Sequence, residues 1–342
     1  MSNYCPNAAP PRFWAAYLTA LVFFLTIALG GLFFVLLQFA TRAGWSTVVR
    51  RLAENAMATL PLVTVLFAPV LWSTHVLYPW AAPGAALYWL VWLGLAGYFY
   101  RASVAQDSSG EHEITRRLQR AAPVGLILFG LALTWAAFDW LMSLSSPWYS
   151  TMYGVYVFAG AVVAIMAFLV LVCASLQGFG RLRREITTEH YHDLGKLLFA
   201  FVVFWAYIAF SQFMLIWYGN LPEETVYYAQ RYAGSWLWVC YALALGQFVV
   251  PFIWLLSRRS KRNLWRLVPG ALWILAMHYV DIYWLIMPHF TPQGASFAWV
   301  DLLTFGGIGG LFGGAYFWLL AIRPLLPLRD PRLHESLAFE NA

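Results

Sequence analysis

Residues 194–220 read LGKLLFAFVVFWAYIAFSQFMLIWYGN and run straight into the acidic turn Leu221-Pro222-Glu223-Glu224-Thr225. A bilayer crossing needs roughly 20 predominantly apolar residues in a helix, and this stretch is too long and too apolar for a soluble core helix. Ser211 and Gln212 nevertheless lie well inside it. A membrane helix carries such groups when it has polar work to do or a partner to hold.

The rest of the chain repeats the pattern. It is 62% hydrophobic and 11% charged, with a mean hydropathy of +0.65. A soluble domain carries about 25% charged residues, so the deficit predicts an integral membrane protein. The 19 Trp suit it, because Trp and Tyr favour the headgroup level, where ring and polar edge are both satisfied. Apolar runs at about 13–40, 52–74, 84–100, 123–143, 150–178, 195–219, 233–257, 265–288 and 297–322 predict a single all-α domain, 1–342, of about nine transmembrane spans. The first run is too long for a signal peptide and no small-residue cleavage site follows it, so it is read as a retained span. Cys5, Cys173 and Cys240 form no CxxC, haem-attachment or cluster-ligand pattern, so no cofactor bound covalently by this chain is expected.

Basic residues alternate loop by loop. Arg42, Arg50 and Arg51 lie between spans one and two, with Arg101, Arg116, Arg117 and Arg120 between three and four. Arg181, Arg183, Arg184 and Lys196 follow span five, and Arg258, Arg259, Lys261, Arg262 and Arg266 follow span seven. The tail adds Arg323, Arg329 and Arg332, while Arg12 and Arg231 fall on the other side. By the positive-inside rule this places the N-terminus outside (periplasmic) and the C-terminus in the cytoplasm. The net charge of +6 is then an orientation signal, and no nucleic-acid partner is expected.

Ionisable groups inside a span cost about 2.5–3.5 kcal/mol near the helix centre on insertion scales, which makes them functional candidates. The predicted orientation puts Asp139, Gln212, His278, Asp281 and Asp301 in the outer half, with His278 and Asp281 at i, i+3 on one helix face. A buried carboxylate needs a partner, and His278 supplies one for Asp281. No second intramembrane His at matching depth offers bis-His haem ligation. On the cytoplasmic side Glu54 stands at the start of span two beside Arg50 and Arg51, and His190, His192 and Asp193 gather just before span six. Gln247 and Thr134 are the polar members between these groups. Two polar vestibules separated by an apolar belt describe proton half-channels; helix-to-helix hydrogen bonding gives the same pattern. The bland reading makes Glu54 a solvated ion pair at the membrane edge and 190–193 a loop. Gly30-Gly31 and the glycines of 306–314 are small-residue runs that let helices pack closely.

The segments 138–160 (FDWLMSLSSPWYSTMYGVYVFAG), 192–228 (HDLGKLLFAFVVFWAYIAFSQFMLIWYGNLPEETVYY) and 251–288 (PFIWLLSRRSKRN…HYVDIYWLIMP) resemble one family, as does 12–46. It is the NrfD or polysulfide-reductase-like membrane subunit of bacterial alternative complex III, a quinol:cytochrome c oxidoreductase. The likeness covers most of the chain and is weakest over 75–122. It implies a multi-pass subunit of the bacterial cytoplasmic membrane. Its implied partners are a multihaem cytochrome c, an iron–sulfur subunit, a second NrfD-type subunit, small membrane subunits and lipid. Haem and iron–sulfur clusters would sit on those partners, quinol is the possible ligand, and this chain alone would not be catalytic. Proton translocation would then use Asp139, Gln212, His278, Asp281 and Asp301 on one side and Glu54, His190, His192 and Asp193 on the other. A passive anchor of the same complex is the alternative. A secondary transporter is a third reading; Pro61 and Pro69 interrupt span two, but no matching interruption marks a second repeat.

Overall fold

Helix α1 (Pro11–Ala40) has no polar face, and a helix apolar all round must be surrounded. The computed structural model, which describes residues 11–78 and 85–340, places it at the centre of the bundle. Its most apolar stretch is 94% buried. Around it stand α2 (Thr47–Met57), α3 (Leu60–Trp72), α5 (Ala86–Ser109), α6 (His112–Trp140), α7 (Tyr153–Gly178), α13 (Leu264–Phe290) and α14 (Trp299–Ile322). Gly30 and Gly31 make this crowding possible. A side chain at Gly30 would lie 2.5 Å from the Ala161 carbonyl of α7, and one at Gly31 would lie 2.9 Å from the Ala53 carbonyl of α2.

The remaining elements complete an all-helical architecture among the described residues. A short turn, α4 (Thr74–Leu77), follows α3, and α8 (Thr188–Gly219) packs along α7. Helix α9 (Pro222–Arg231) lies beyond α8 and leads into α10 (Trp236–Ala242). A π-helical segment, Leu243–Val249, joins α10 to α11 (Val250–Leu256). Then come α12 (Arg258–Arg262), α13, α14 and the tail helix α15 (Leu333–Leu337). Asn220 ends α8 in the left-handed conformation, as helix C-termini commonly do.

Among the described residues, eight helical stretches are long and apolar enough to cross a membrane: Pro11–Ala40, Thr47–Trp72, His112–Ser145, Tyr153–Gly178, Thr188–Gly219, Trp236–Leu256, Leu264–Phe290 and Trp299–Ile322. Exposed Val65, Ile127, Leu215, Leu303 and Phe317 give their outer faces an apolar surface. The third predicted span, 84–100, is a 24-residue helix, but it is not among the eight; residue 84 lies outside the described residues. Arg101, Gln106 and Asp107 continue the same helix and dilute its apolarity. The second predicted span starts earlier, at Thr47, and breaks at Ala58–Thr59 into α2 and α3. Glu54, Arg50 and Arg51 are therefore inside a buried helix and not at its edge. Helix α8 likewise starts at Thr188, so His190, His192 and Asp193 occupy its first turns and no loop.

Candidate functional site

Helix α13 turns His278 and Asp281 into the middle of the bundle, where His278 is fully buried and Asp281 is 1% exposed. They do not pair as expected. Asp281 Oδ1 accepts from the Tyr156 hydroxyl of α7, and Oδ2 accepts from Trp205 Nε1 of α8 at 3.1 Å. Side chains three residues apart share a helix face, yet each is aimed by the neighbour it meets. His278 Nε2 instead meets Thr26 Oγ1 of α1 at 2.9 Å.

Thr26 fits one tautomer of His278 in particular. Thr26 donates its one hydroxyl proton to the Phe23 carbonyl at 2.7 Å, so it accepts from a His278 that carries its proton on Nε2. Nδ1 is then a bare acceptor, buried and without a hydrogen-bond partner among the described residues. Gly160 of α7 keeps the approach open: a Cβ there would stand 3.1 Å from His278 Cε1, 3.4 Å from Nδ1 and 3.8 Å from Asp281 Oδ2. Phe23 covers the imidazole from the other side, with ring centres 5.5 Å apart. The result is an aspartate and an imidazole side by side against Gly160, with no Lys or Arg in ion-pair contact with Asp281 among the described residues.

A band of tyrosines leads from Asp281 toward the end of the bundle that carries α9. Tyr153, one turn before Tyr156, faces the Tyr227 hydroxyl without a well-aligned hydrogen bond. Tyr227 stacks on Trp148 at 3.8 Å and under the Arg231 guanidinium at 3.4 Å. Arg231 is fully buried, donates to the carbonyls of Tyr227 and Leu285, and has Trp284 as a second aromatic wall. Burial pushes the Tyr227 phenol up to about 12, with Arg231 opposing, so it remains a proton donor. Gln212 is buried in this band beside Tyr228, with Oε1 unpartnered.

The opposite, basic end holds a second cluster, and here the expectation of a solvated Glu54 is overturned. Glu54 and Arg51 are fully buried, and Arg50 is 3% exposed. Glu54 pairs with Arg50 at 3.1 Å and Arg51 at 3.4 Å, and Ser103 donates to both its oxygens. Arg50 also holds Asp330 at 2.5 Å, and Arg51 holds Asp107 at 2.7 Å. The tail following α14 closes this network over. Leu328 N–H donates to Asp107 Oδ1, and Ser336 Oγ donates to the Trp45 carbonyl at 2.5 Å. His190 belongs to the same closure, with Nδ1 at the Thr187 cap and Nε2 on the Ser336 carbonyl at 3.1 Å.

Other predicted groups stand apart. Asp139 accepts from Tyr88 at 2.5 Å between α5 and α6. Asp301 is buried, pairs with Arg12 at 2.5 Å and accepts from the Ala298 N–H, which fastens the start of α14 to the start of α1. Asp193 is paired with Lys196, and neighbouring Glu189 with Arg262. His192 is buried with Nδ1 unpartnered. Gln247 sits in the π-helical segment, fully buried with both amide atoms unpartnered; π-turns recur at functional sites. Thr134 packs against Gly154. The five groups expected to form one outer path are thus four separate places: Asp139, Asp301, Gln212 beside Tyr228, and Asp281 with His278. Sequence reading missed Thr26, Tyr153, Tyr156, Gly160, Trp205 and Tyr227, and used Arg231 only for its charge. Among the described residues no three His, Cys, Asp or Glu side chains gather to hold a metal ion. Compared with known proteins, the chain matches no family model and no curated sequence.

Proposed function

We propose that this chain is a membrane subunit of a quinol-oxidising electron-transfer complex, and that Asp281 and His278 form its mid-bundle proton-transfer station. Quinol oxidation releases protons along with electrons. In this reading the electrons leave through haem and iron–sulfur groups on partner chains, while this chain handles protons. Nine crossings, with α5 as the ninth and the basic end in the cytoplasm, complete the picture.

One observation carries the reading: a buried Asp281 with no cation against it and, beside it, a buried imidazole whose Nδ1 has no hydrogen-bond partner among the described residues. Leaving a buried polar atom of that kind unsatisfied costs about 1–3 kcal/mol. A proton that reaches this pair has two acceptors, His278 Nδ1 and Asp281 Oδ2. The tyrosine band toward Arg231 supplies hydroxyls for its onward transfer. The sequence resemblance supplies the redox context.

A passive anchor is favoured by a different observation. The Arg50–Arg51–Glu54 network is closed over by the tail, which suits a structural clasp better than a proton entrance. Mild-detergent affinity purification of the chain from native membranes, followed by haem staining and mass spectrometry, tests the complex. Co-purification of a multihaem cytochrome, an iron–sulfur protein and a second membrane subunit of the same type is the expected result. Recovery of the chain alone or as a homo-oligomer would remove the redox reading and favour a transporter.

A further inference from the structure

Helices α13 and α14 follow one another in sequence yet pack on α1 far more than on each other. Between them lies a cavity of about 710 Å³, floored by Phe24 of α1 and walled by Phe168 of α7, Leu272 of α13 and Leu302 of α14. It opens sideways onto the apolar surface. From Leu302 to Phe317 on α14 the groove runs about 22 Å at ~1.5 Å per residue. Measured wall to wall, its mean cross-section is then that of a rod about 9 Å wide. An α-helix with its side chains needs about 10–12 Å, so a partner's helix does not fit. One extended hydrocarbon chain does.

The groove offers few polar contacts, chiefly the buried, unpartnered Tyr279 hydroxyl and Ser175 near one end. A ring bearing two oxygens would leave one of them unsatisfied along most of its length, whereas an alkyl chain needs none. Charge accumulates where the groove reaches the end of α7. Phe179 lines that mouth and is exposed. The turn that follows carries exposed Arg181, Arg183 and Arg184, and the first turn of α13 carries exposed Arg266. Arg183 Nε donates to the Gln177 carbonyl, which folds that side chain back onto the helix end.

We propose that the groove is a binding site for an anionic phospholipid, one acyl chain lying between α13 and α14 and the phosphate meeting the arginine turn at 181–184. Burying the chain removes its methylenes from no water, so van der Waals packing hold it, as between helices in lipid, and the basic turn provides headgroup preference. This inference is independent of the redox reading.

The test uses the full-length chain purified in detergent, stripped of lipid and supplied with phosphatidylglycerol or phosphatidylcholine. Bound lipid is read by native mass spectrometry, and folding by circular dichroism. Wild type should retain phosphatidylglycerol at least about tenfold better than phosphatidylcholine, the increment that corresponds to about 1.4 kcal/mol. Ala276→Phe, which fills the groove, should lose the lipid while keeping its helical spectrum. The double variant Arg181→Gln, Arg184→Gln should keep binding but lose the headgroup preference. Equal retention of both lipids by wild type would overturn the proposal. So would Ala276→Phe binding as wild type does, or a co-purifying quinone lost only in that variant.

Discussion

The bundle buries carboxylates in two contrasting ways. Glu54 lies between two guanidinium groups and under a serine hydroxyl, with Asp330 and Asp107 completing a network of matched charges. Asp281 has a phenol and an indole N–H and, among the described residues, no cation. A buried ion network of the first kind fixes where segments far apart in the chain meet, here α2 with residues 280 positions later. A carboxylate of the second kind is held by neutral donors alone, with no opposite charge to fix it to one partner. In the proposed reading the difference separates a clasp from a working site, although both read as ionisable residues in apolar surroundings.

The contrast breaks most visibly at Arg51. Removing one partner of a buried ion pair typically costs about 3–5 kcal/mol, so Arg51→Ala should leave the chain poorly folded or unassembled, as thermal unfolding in detergent will show. Wild-type stability in that variant would mean that the basic end is wetter than its burial indicates. A smaller effect is expected at Gly160. Its Cβ would press His278 by a few tenths of an ångström, an overpacking cost of about 1–3 kcal/mol. Gly160→Ala should therefore lower turnover more than it lowers melting temperature. Loss of stability alone would make Gly160 a packing residue.

The smallest effect belongs to Asp301. Asp301→Asn weakens the Arg12 pair and the cap on α14, and should cost about 1 kcal/mol with turnover unchanged. A turnover defect there, in a stably assembled complex, would place Asp301 on the proton path after all and blur the comparison.

The helices were legible because apolar runs of membrane length need no tertiary information. Leu264–Phe290 and Trp299–Ile322 fall within three residues of the expected spans. Alpha-helical ends at charged residues were less legible: α2 and α8 extend past the apolar run because Arg50, Arg51 and Glu54, or Glu189 and Asp193, find partners elsewhere in the fold. His278 and Asp281 stood out as charges in a span, and both are buried in the core. Their true partners did not, because Tyr156 lies 125 positions from Asp281 and is one of 19 Tyr. The glycines of α14 meet a neighbour within this chain at one position. Only Gly309 of that run packs against another helix, on Phe24, while Gly306, Gly307, Gly310, Gly313 and Gly314 face open space. Close packing by small residues depends on a neighbour, which the sequence of one helix does not contain.

Proton release and quinol turnover by the purified complex carrying Asp281→Asn test the central claim most directly. The amide preserves the shape of the side chain and cannot take up a proton. With haem content and subunit composition unchanged, turnover or proton release should fall about 100-fold, the lower part of the range for a positioned acid–base group. Unchanged turnover and proton release in the assembled complex would contradict the account and leave Asp281 a packing residue.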